Sequence, residues 1–238
     1  MADLPTEGSR LYEDALAWME QRQIVLPDVY YNQLTDLERL RAFSVAQVTV
    51  LDELASIHSS LMDAIDKGMT QAEWKRQLLS NPEMIETLKL SNARLDNVFR
   101  TNVQQAYSMG IARQQESPRA LKRRPFFQYD AINDSRTRPA HAAMDNFIAR
   151  HDDPVWQRWT PIVAYRCRCV RISISEAEAI ARGWTGQAKP VPSEPDPGFA
   201  VHPLADDGKT GIKLAVEERS KKVGPFWNSP NIQPVLLE

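Results

Sequence analysis

An acidic group, several arginines, an imidazole and two thiols fall within residues 134–169 of a 238-residue chain. The stretch opens with Asp134-Ser135-Arg136-Thr137-Arg138-Pro139-Ala140-His141 and closes with Tyr165-Arg166-Cys167-Arg168-Cys169-Val170. Both cysteines of the protein stand in the closing run. Residues of these types can hold a metal ion, activate a nucleophile, or tie a small module together through polar contacts.

Thiolates and an imidazole are good zinc ligands, and a structural zinc takes four donors. Cys167, Cys169 and His141 supply three, with His151, Asp134 or Asp145 as candidates for the fourth. A thiol pair that wraps zinc usually has two to four residues between its members, so a single intervening residue is a weak signal. A cysteine beside an arginine, with a histidine as base, could act as a nucleophile. No glycine-rich turn frames either cysteine, however, and no oxyanion arrangement is legible. The structural reading is the favoured one: Asp134 pairs with Arg136 or Arg138, His141 bonds to nearby backbone, and the cysteines pack as small buried hydrophobes. An enzymatic or toxin-like activity in the module is the alternative. No cofactor is expected beyond the zinc these three ligands would take.

The elements around this stretch change character along the chain. The first 116 residues read as helix. Thr35-Asp36-Leu37-Glu38 is a capping box, leading into one long stripe through Leu37, Leu40, Ser44, Val48, Leu51, Ala55, His58, Met62 and Ile65. Lys67 and Gly68 close that helix. His58 lies on the stripe, where a hydrogen-bonded core histidine outweighs a ligand. Thr70-Gln71-Ala72-Glu73 is a second box, with Trp74 and Leu78 inward. Asn81-Pro82 marks another start. From Leu95 a face of Val98, Phe99, Asn102, Val103, Ala106, Tyr107, Gly110 and Ile111 predicts a helix that ends before Pro118, with Arg100 and Thr101 on its other sides.

After Pro125, Phe126-Phe127-Gln128-Tyr129-Asp130 reads as a strand. Pro139 opens a short helix that would put His141 and Asp145 on one face. Asp152-Asp153-Pro154 is a turn, followed by the packing residues Val155, Trp156 and Trp159. Val170, Ile172 and Ile174 alternate as the inward face of a half-buried strand. Ser175-Glu176-Ala177-Glu178 is a third capping box, whose helix stops at Gly183. Five prolines between Pro190 and Pro203 predict an extended arm, and Lys213 to Lys222 a further short helix. The expected fold class is α+β. A helical N-terminal part covers 1–118, and a compact α+β module covers 119–185, with the motif helix 92–116 packed on it. A Pro-rich extended arm and tail cover 186–238.

Composition narrows the class of function. Hydrophobic content of 42% and charged content of 25% are ordinary for a soluble globular protein. No apolar run reaches membrane-span length. The N-terminus is acidic rather than signal-like. Two cysteines one residue apart make a strained disulfide, so reduced thiols and a cytosolic setting are expected. The net charge of −2 is uneven. Residues 91–182 hold 15 Lys and Arg against 9 Asp and Glu, a balance of +6, leaving −8 for the rest. Arg119, Lys122, Arg123 and Arg124 form the densest basic run, a candidate contact for nucleic acid. A solvated face beside acidic neighbours is the plainer account of it.

Taken in order, several of these segments are similar to a known family. Phe99-Arg100-Thr101-Asn102-Val103-Gln104-Gln105-Ala106-Tyr107, then Tyr129-Asp130 and Asp134 to His141, resemble phage head morphogenesis proteins. Asp153-Pro154-Val155-Trp156, Cys167-Arg168-Cys169-Val170 and Pro195-Asp196-Pro197-Gly198-Phe199 continue the match. The family is that of minor head proteins typified by the F protein of phage Mu, and the resemblance covers most of residues 10–203. Where such proteins often carry Pro-Pro and an Asn- or Gly-containing turn before the cysteines, this chain has Thr160-Pro161-Ile162-Val163-Ala164-Tyr165. The resemblance implies a low-copy virion component acting in head assembly near the portal vertex, with no catalytic turnover. Arg100, Asp134, Arg136, Arg138, His141, Cys167 and Cys169 would be its structural motif residues. Expected partners are the portal, other head proteins and packaged double-stranded DNA, with no membrane. The expected location is the virion head, reached through the host cytoplasm during assembly.

Overall fold

The computed structural model describes residues 7–80 and 90–205. The Asn81-Pro82 start, the Lys213–Lys222 segment and the tail lie outside the described residues. The chain divides into two compact units. One contains Leu16–Val103. The other contains Gln104–Ala205 with the N-terminal residues up to Ala15.

In the Leu16–Val103 unit both predicted capping boxes form. The Thr35 and Thr70 hydroxyls accept from the Glu38 and Glu73 amides, and each glutamate accepts from its threonine amide. The single long helix expected after Thr35 is a correction. Helix Asp36–Arg41 gives way to strand Ala42–Phe43, which pairs in parallel with Gln23–Ile24, and a new helix runs from Leu51 to Asp66. Pairing of Ala42–Phe43 ends the first helix, and the β-branched Val48-Thr49-Val50 run, whose side chains lose rotamer freedom in a helix, keeps the chain open until Leu51. Gln47 lies in this break with φ of 80°. The buried face of the second helix is also shifted from the expected stripe. It is Leu54, Ile57, His58, Leu61, Ala64 and Ile65, with Ala55 and Met62 at the margin. Gly68, at φ 61°, ends the helix as expected.

Trp74 and Leu78 are buried as the pattern required. On helix Asn92–Gln115, Leu95, Val98, Phe99 and Asn102 are buried, but so is Thr101, while Val103 is half-buried. Leu95→Ala should therefore cost about 2–5 kcal/mol, against about 1 kcal/mol for Thr35→Ala, which loses only a cap. Urea denaturation that reversed this order would show that the seam is not a core.

Two polar groups sit deep in this unit. Arg22 is buried, its guanidinium 4.8 Å from the Trp18 ring and 5.5 Å from the Phe43 ring. It donates to Asn102 Oδ1 at 2.5 Å and to the Ala42 carbonyl. His58 Nε2 lies 2.9 Å from the Met19 carbonyl, so the histidine is a bonded core residue. Burial, then the Arg22 charge, push its pKa from 6.5 down to about 4. The unfolded chain therefore takes up a proton at a pH where the folded unit does not. Stability is full above pH 6.5 and falls as the pH drops towards 4, by roughly 3 kcal/mol in total. His58→Gln should flatten that slope in urea titrations run at several pH values; an unchanged slope would assign it to other groups.

The Gln104–Ala205 unit is built on a three-stranded antiparallel sheet. Its central strand, Phe126–Asp130, lies between Ile148–Arg150 and Val170–Ile174. Both faces are covered. Phe127, Tyr129 and Ala149 meet Met144, Phe147, Trp156, Trp159, Val163 and both cysteines. Phe126, Ile148 and Ile174 meet Ala179 on the other side, with Ile172 and Trp184 partly buried against them. The expected inward set on the last strand needs correction: Ile174 is buried, but Val170 is exposed and Arg171 is buried on the opposite face. The Ser175 capping box forms, and its helix, Glu176–Ala181, ends before Gly183 at φ 93°. Residues 187–205 contain no helix or strand. They are tied to the module by the Asp196 amide to the Val163 carbonyl at 3.1 Å and the Ser193 hydroxyl to the Ala140 carbonyl at 2.8 Å.

Candidate functional site

The segments that open and close the 134–169 stretch meet through two ties, one near the surface and one beneath it. The loop after the central strand carries Asn133 at φ 56° and folds Asp134 into a turn. In that turn Asp134 Oδ1 accepts from the Arg136 amide at 2.9 Å, and the Asp134 carbonyl accepts from the Thr137 amide at 2.9 Å. The partner of the Asp134 carboxylate is Arg168, in a two-pronged pair at 2.8 and 2.6 Å. Arg136 adds a weaker contact at 3.3 Å. Of the two arginines expected to pair with Asp134, Arg136 does and Arg138 does not, while the two-pronged Arg168 pair goes beyond that expectation. Arg138 instead donates to the Tyr165 carbonyl at 3.0 Å and pairs with Asp196 at 3.3 Å. The Arg168 hydrogen bond, then the Arg136 amide, hold the Asp134 carboxyl well below the usual carboxylate range. Both arginines carry fork geometry that suits a carboxylate, which fixes a loop lacking regular structure.

Beneath this tie sits the second. Helix Pro139–Ala143 buries His141, and its Nδ1 lies 3.7 Å from Cys167 Sγ and 3.5 Å from Cys169 Sγ. His141 therefore faces the thiols, not the nearby backbone as expected. The helix ends before Asp145, which turns away to accept from the Ala131 amide at 2.9 Å and from Asn133 at 2.7 Å. His141 and Asp145 thus do not act as a helical pair.

A tight turn aims the sulfurs. The Cys167 amide donates to the Ala164 carbonyl at 3.2 Å, and Arg166 takes φ 59°. Asparagine or glycine adopts that conformation at lower cost, so this chain meets the turn's demand with a less suited residue. Beyond the turn the chain alternates: Cys167 and Cys169 point inward and Arg168 outward to Asp134.

Both cysteines are free and buried. Their thiols share proton affinity unequally. Hydrogen bonding to Cys169, with burial, pushes the Cys167 thiol up, while Cys167, His141 and Tyr129 pull Cys169 down. The sequence gives Tyr129 a place in a strand and a motif, but not in the site. Its hydroxyl is buried and lies against both sulfurs. An activated thiol must still reach a substrate, and Cys167, Cys169 and His141 are exposed by only 2%, 6% and 2%. That burial weighs against a nucleophile. His141, Cys167 and Cys169 can hold a metal ion, since their ligand atoms lie within 4.8 Å of one another. Asp134, Asp145 and His151 do not join that group.

Another polar cluster, not legible in the residue spacing, centres on Arg171. Arg171 donates to Gln115 Oε1 at 3.0 Å, Thr160 Oγ1 at 2.9 Å and Glu116 Oε1 at 2.5 Å, with its guanidinium 4.0 Å from the Phe127 ring. His202 Nε2 reaches the same Glu116 oxygen at 3.0 Å. Arg100 has its partners within the Leu16–Val103 unit, Asp96 at 3.1 Å and Gln71 at 3.0 Å. Arg119, Lys122 and Arg123 are exposed on helix Pro118–Arg123 and make no ion pair among the described residues. Arg124 is anchored to the Ser173 carbonyl at 2.7 Å.

Comparison with known proteins gives a consistent picture. The model of the family described as Phage Mu protein F like protein matches residues 55–172. The putative capsid assembly protein F of Escherichia phage Mu is 30% identical over 181 residues, covering 69% of this chain and 40% of that protein. The Mu-like prophage FluMu F protein of Haemophilus influenzae is 30% identical over 218 residues, covering 84% of this chain and 51% of that protein. The chain thus spans about half the length of these relatives or less. No solved structure matches it.

Proposed function

Because the chain belongs to the phage Mu F-like head morphogenesis family, we propose that it is a minor head protein of a tailed double-stranded DNA phage or prophage, acting at the portal vertex. The observation that carries this reading is the similarity to a relative whose own name is that of a capsid assembly protein, over 69% of this chain. The portal, other head proteins and packaged DNA are the proposed partners, and the virion head, reached from the host cytoplasm, the proposed location. The burial of the His141 and cysteine cluster supports a structural role for the module over turnover. Among the described residues no helix is long and apolar enough to cross a membrane.

Exposed Arg119, Lys122 and Arg123 favour a subsidiary contact with DNA or an acidic protein surface. A contact with DNA phosphates would weaken steeply as salt rises.

The test is deletion of the gene from an inducible lysogen, with complementation from a plasmid and electron microscopy of the particles. Aberrant or DNA-poor heads, rescued by the plasmid, are expected. A normal yield of infectious particles without the gene would overturn the reading.

A further inference from the structure

We propose that His141 Nδ1, Cys167 Sγ and Cys169 Sγ bind a zinc ion that clasps the loop and helix around Asp134–His141 to the segment entering the last strand. The inference is independent of the head assembly reading and rests on geometry. Zinc holds sulfur at about 2.3 Å and nitrogen at about 2.0 Å, so neighbouring N and S ligands of a tetrahedral ion stand about 3.5–3.6 Å apart. Nδ1 lies 3.5 Å from one sulfur and 3.7 Å from the other.

A neutral imidazole nitrogen has a single lone pair, so an S–H···N hydrogen bond of similar length holds one sulfur, and the second is then held only by its neighbour thiol. An ion at their common centre holds both sulfurs and the nitrogen at once. The alternation of the chain is also what a clasp needs. Arg166 at φ 59° reverses the backbone just before Cys167, both thiols then point inward, and the intervening Arg168 is drawn outward by Asp134. The one-residue spacing, short for a zinc knuckle, is thereby made workable.

Two buried polar groups bear on the site. The Tyr129 hydroxyl lies against both sulfurs, where thiolates held by an ion would accept its hydrogen bond. His141 Nε2 is buried without a partner. A ligating histidine usually donates its other N–H to an outer acceptor, which strengthens the metal bond. Its absence here, with three protein ligands in place of four, sets the expected affinity below that of a four-ligand structural site. N and S donors select zinc over magnesium or calcium, which prefer oxygen.

The experiment uses the full chain, prepared reduced and metal-free, and titrated with Co2+ and then Zn2+. The expected result is a thiolate-to-cobalt charge-transfer band that saturates near one equivalent, with the visible bands of a tetrahedral ion, and is displaced by zinc. The zinc-loaded chain should resist alkylation at both thiols until a chelator is added. Cys167→Ser and Cys169→Ser should each abolish stoichiometric binding. If those variants fail to fold, the alkylation contrast on the unaltered chain still decides the question. Cobalt bound without a charge-transfer band, thiols alkylated equally fast with and without zinc, or full zinc retention by a folded Cys167→Ser/Cys169→Ser variant would each overturn the proposal.

Discussion

Arg171→Met should destabilise the Gln104–Ala205 unit by about 3–5 kcal/mol, because it removes one partner of a buried charged network and leaves the others behind. The Arg171 side chain is 2% exposed. Its guanidinium bonds Gln115, Glu116 and Thr160 and stacks on Phe127, so three separate segments of chain converge on one planar group. Methionine can fill the volume but not the hydrogen bonds. Glu116 would keep only His202, and the Thr160 hydroxyl would lose an acceptor role while still donating to the Trp156 carbonyl at 2.8 Å. Arg171→Lys should recover only part of the loss, since an ammonium lacks the fork and stacks poorly. Arg171→Met combined with Glu116→Gln should cost less than Arg171→Met alone, because the stranded charge is gone. Urea denaturation followed by tryptophan fluorescence measures all three. A cost below about 1 kcal/mol for Arg171→Met would show that the network is not a structural centre.

Trp156→Ala should cost about 3–5 kcal/mol, a loss of similar size and different origin. Trp156 is 1% exposed and sits edge-on to Phe127 at 5.7 Å and Phe147 at 6.2 Å. Its indole N–H donates to the Arg150 carbonyl at 2.8 Å, so truncation opens a cavity and strands a strand-end acceptor together. Trp156→Phe keeps most of the ring volume and should lose much less. Because the Arg171 guanidinium lies 6.0 Å from the Trp156 ring, the two losses should not add in a double variant. A folded Trp156→Ala chain with near-native stability would mean that the apolar cluster around the cysteines does not carry the unit.

Local chemistry was the part of this fold most legible in the sequence. Three capping boxes, Gly68, Gly183 and strand Phe126–Asp130 stand where their residues put them, because each is decided within a few positions of chain. The sequence predicts one long helix after Thr35 because apolar spacing near 3.6 persists through Ser44 and Val48. The pairing of Ala42–Phe43 with Gln23–Ile24, some twenty residues away, overrides that spacing. The alternation of Val170, Ile172 and Ile174 implies that Arg171 between them faces solvent. Only the arrival of Glu116 and the Phe127 ring makes a buried arginine tolerable there.

The candidate site shows the same division. The sequence picked out Asp134, His141, Cys167 and Cys169 by residue type and order. It offered Arg136 or Arg138 for Asp134; Arg136 does pair with it, but the two-pronged partner is Arg168, which only the turn at Arg166 that points both cysteines inward brings into place. Tyr129 is visible there only as a strand former and a motif residue. Its place beside the thiols depends on the register that sets it opposite Arg171.

The most direct test of a role in head morphogenesis is quantitative mass spectrometry of purified heads from an induced lysogen carrying the gene. The account predicts that the chain co-purifies with heads at a low copy number relative to the major capsid protein. Its absence from both mature heads and their precursors would contradict the account.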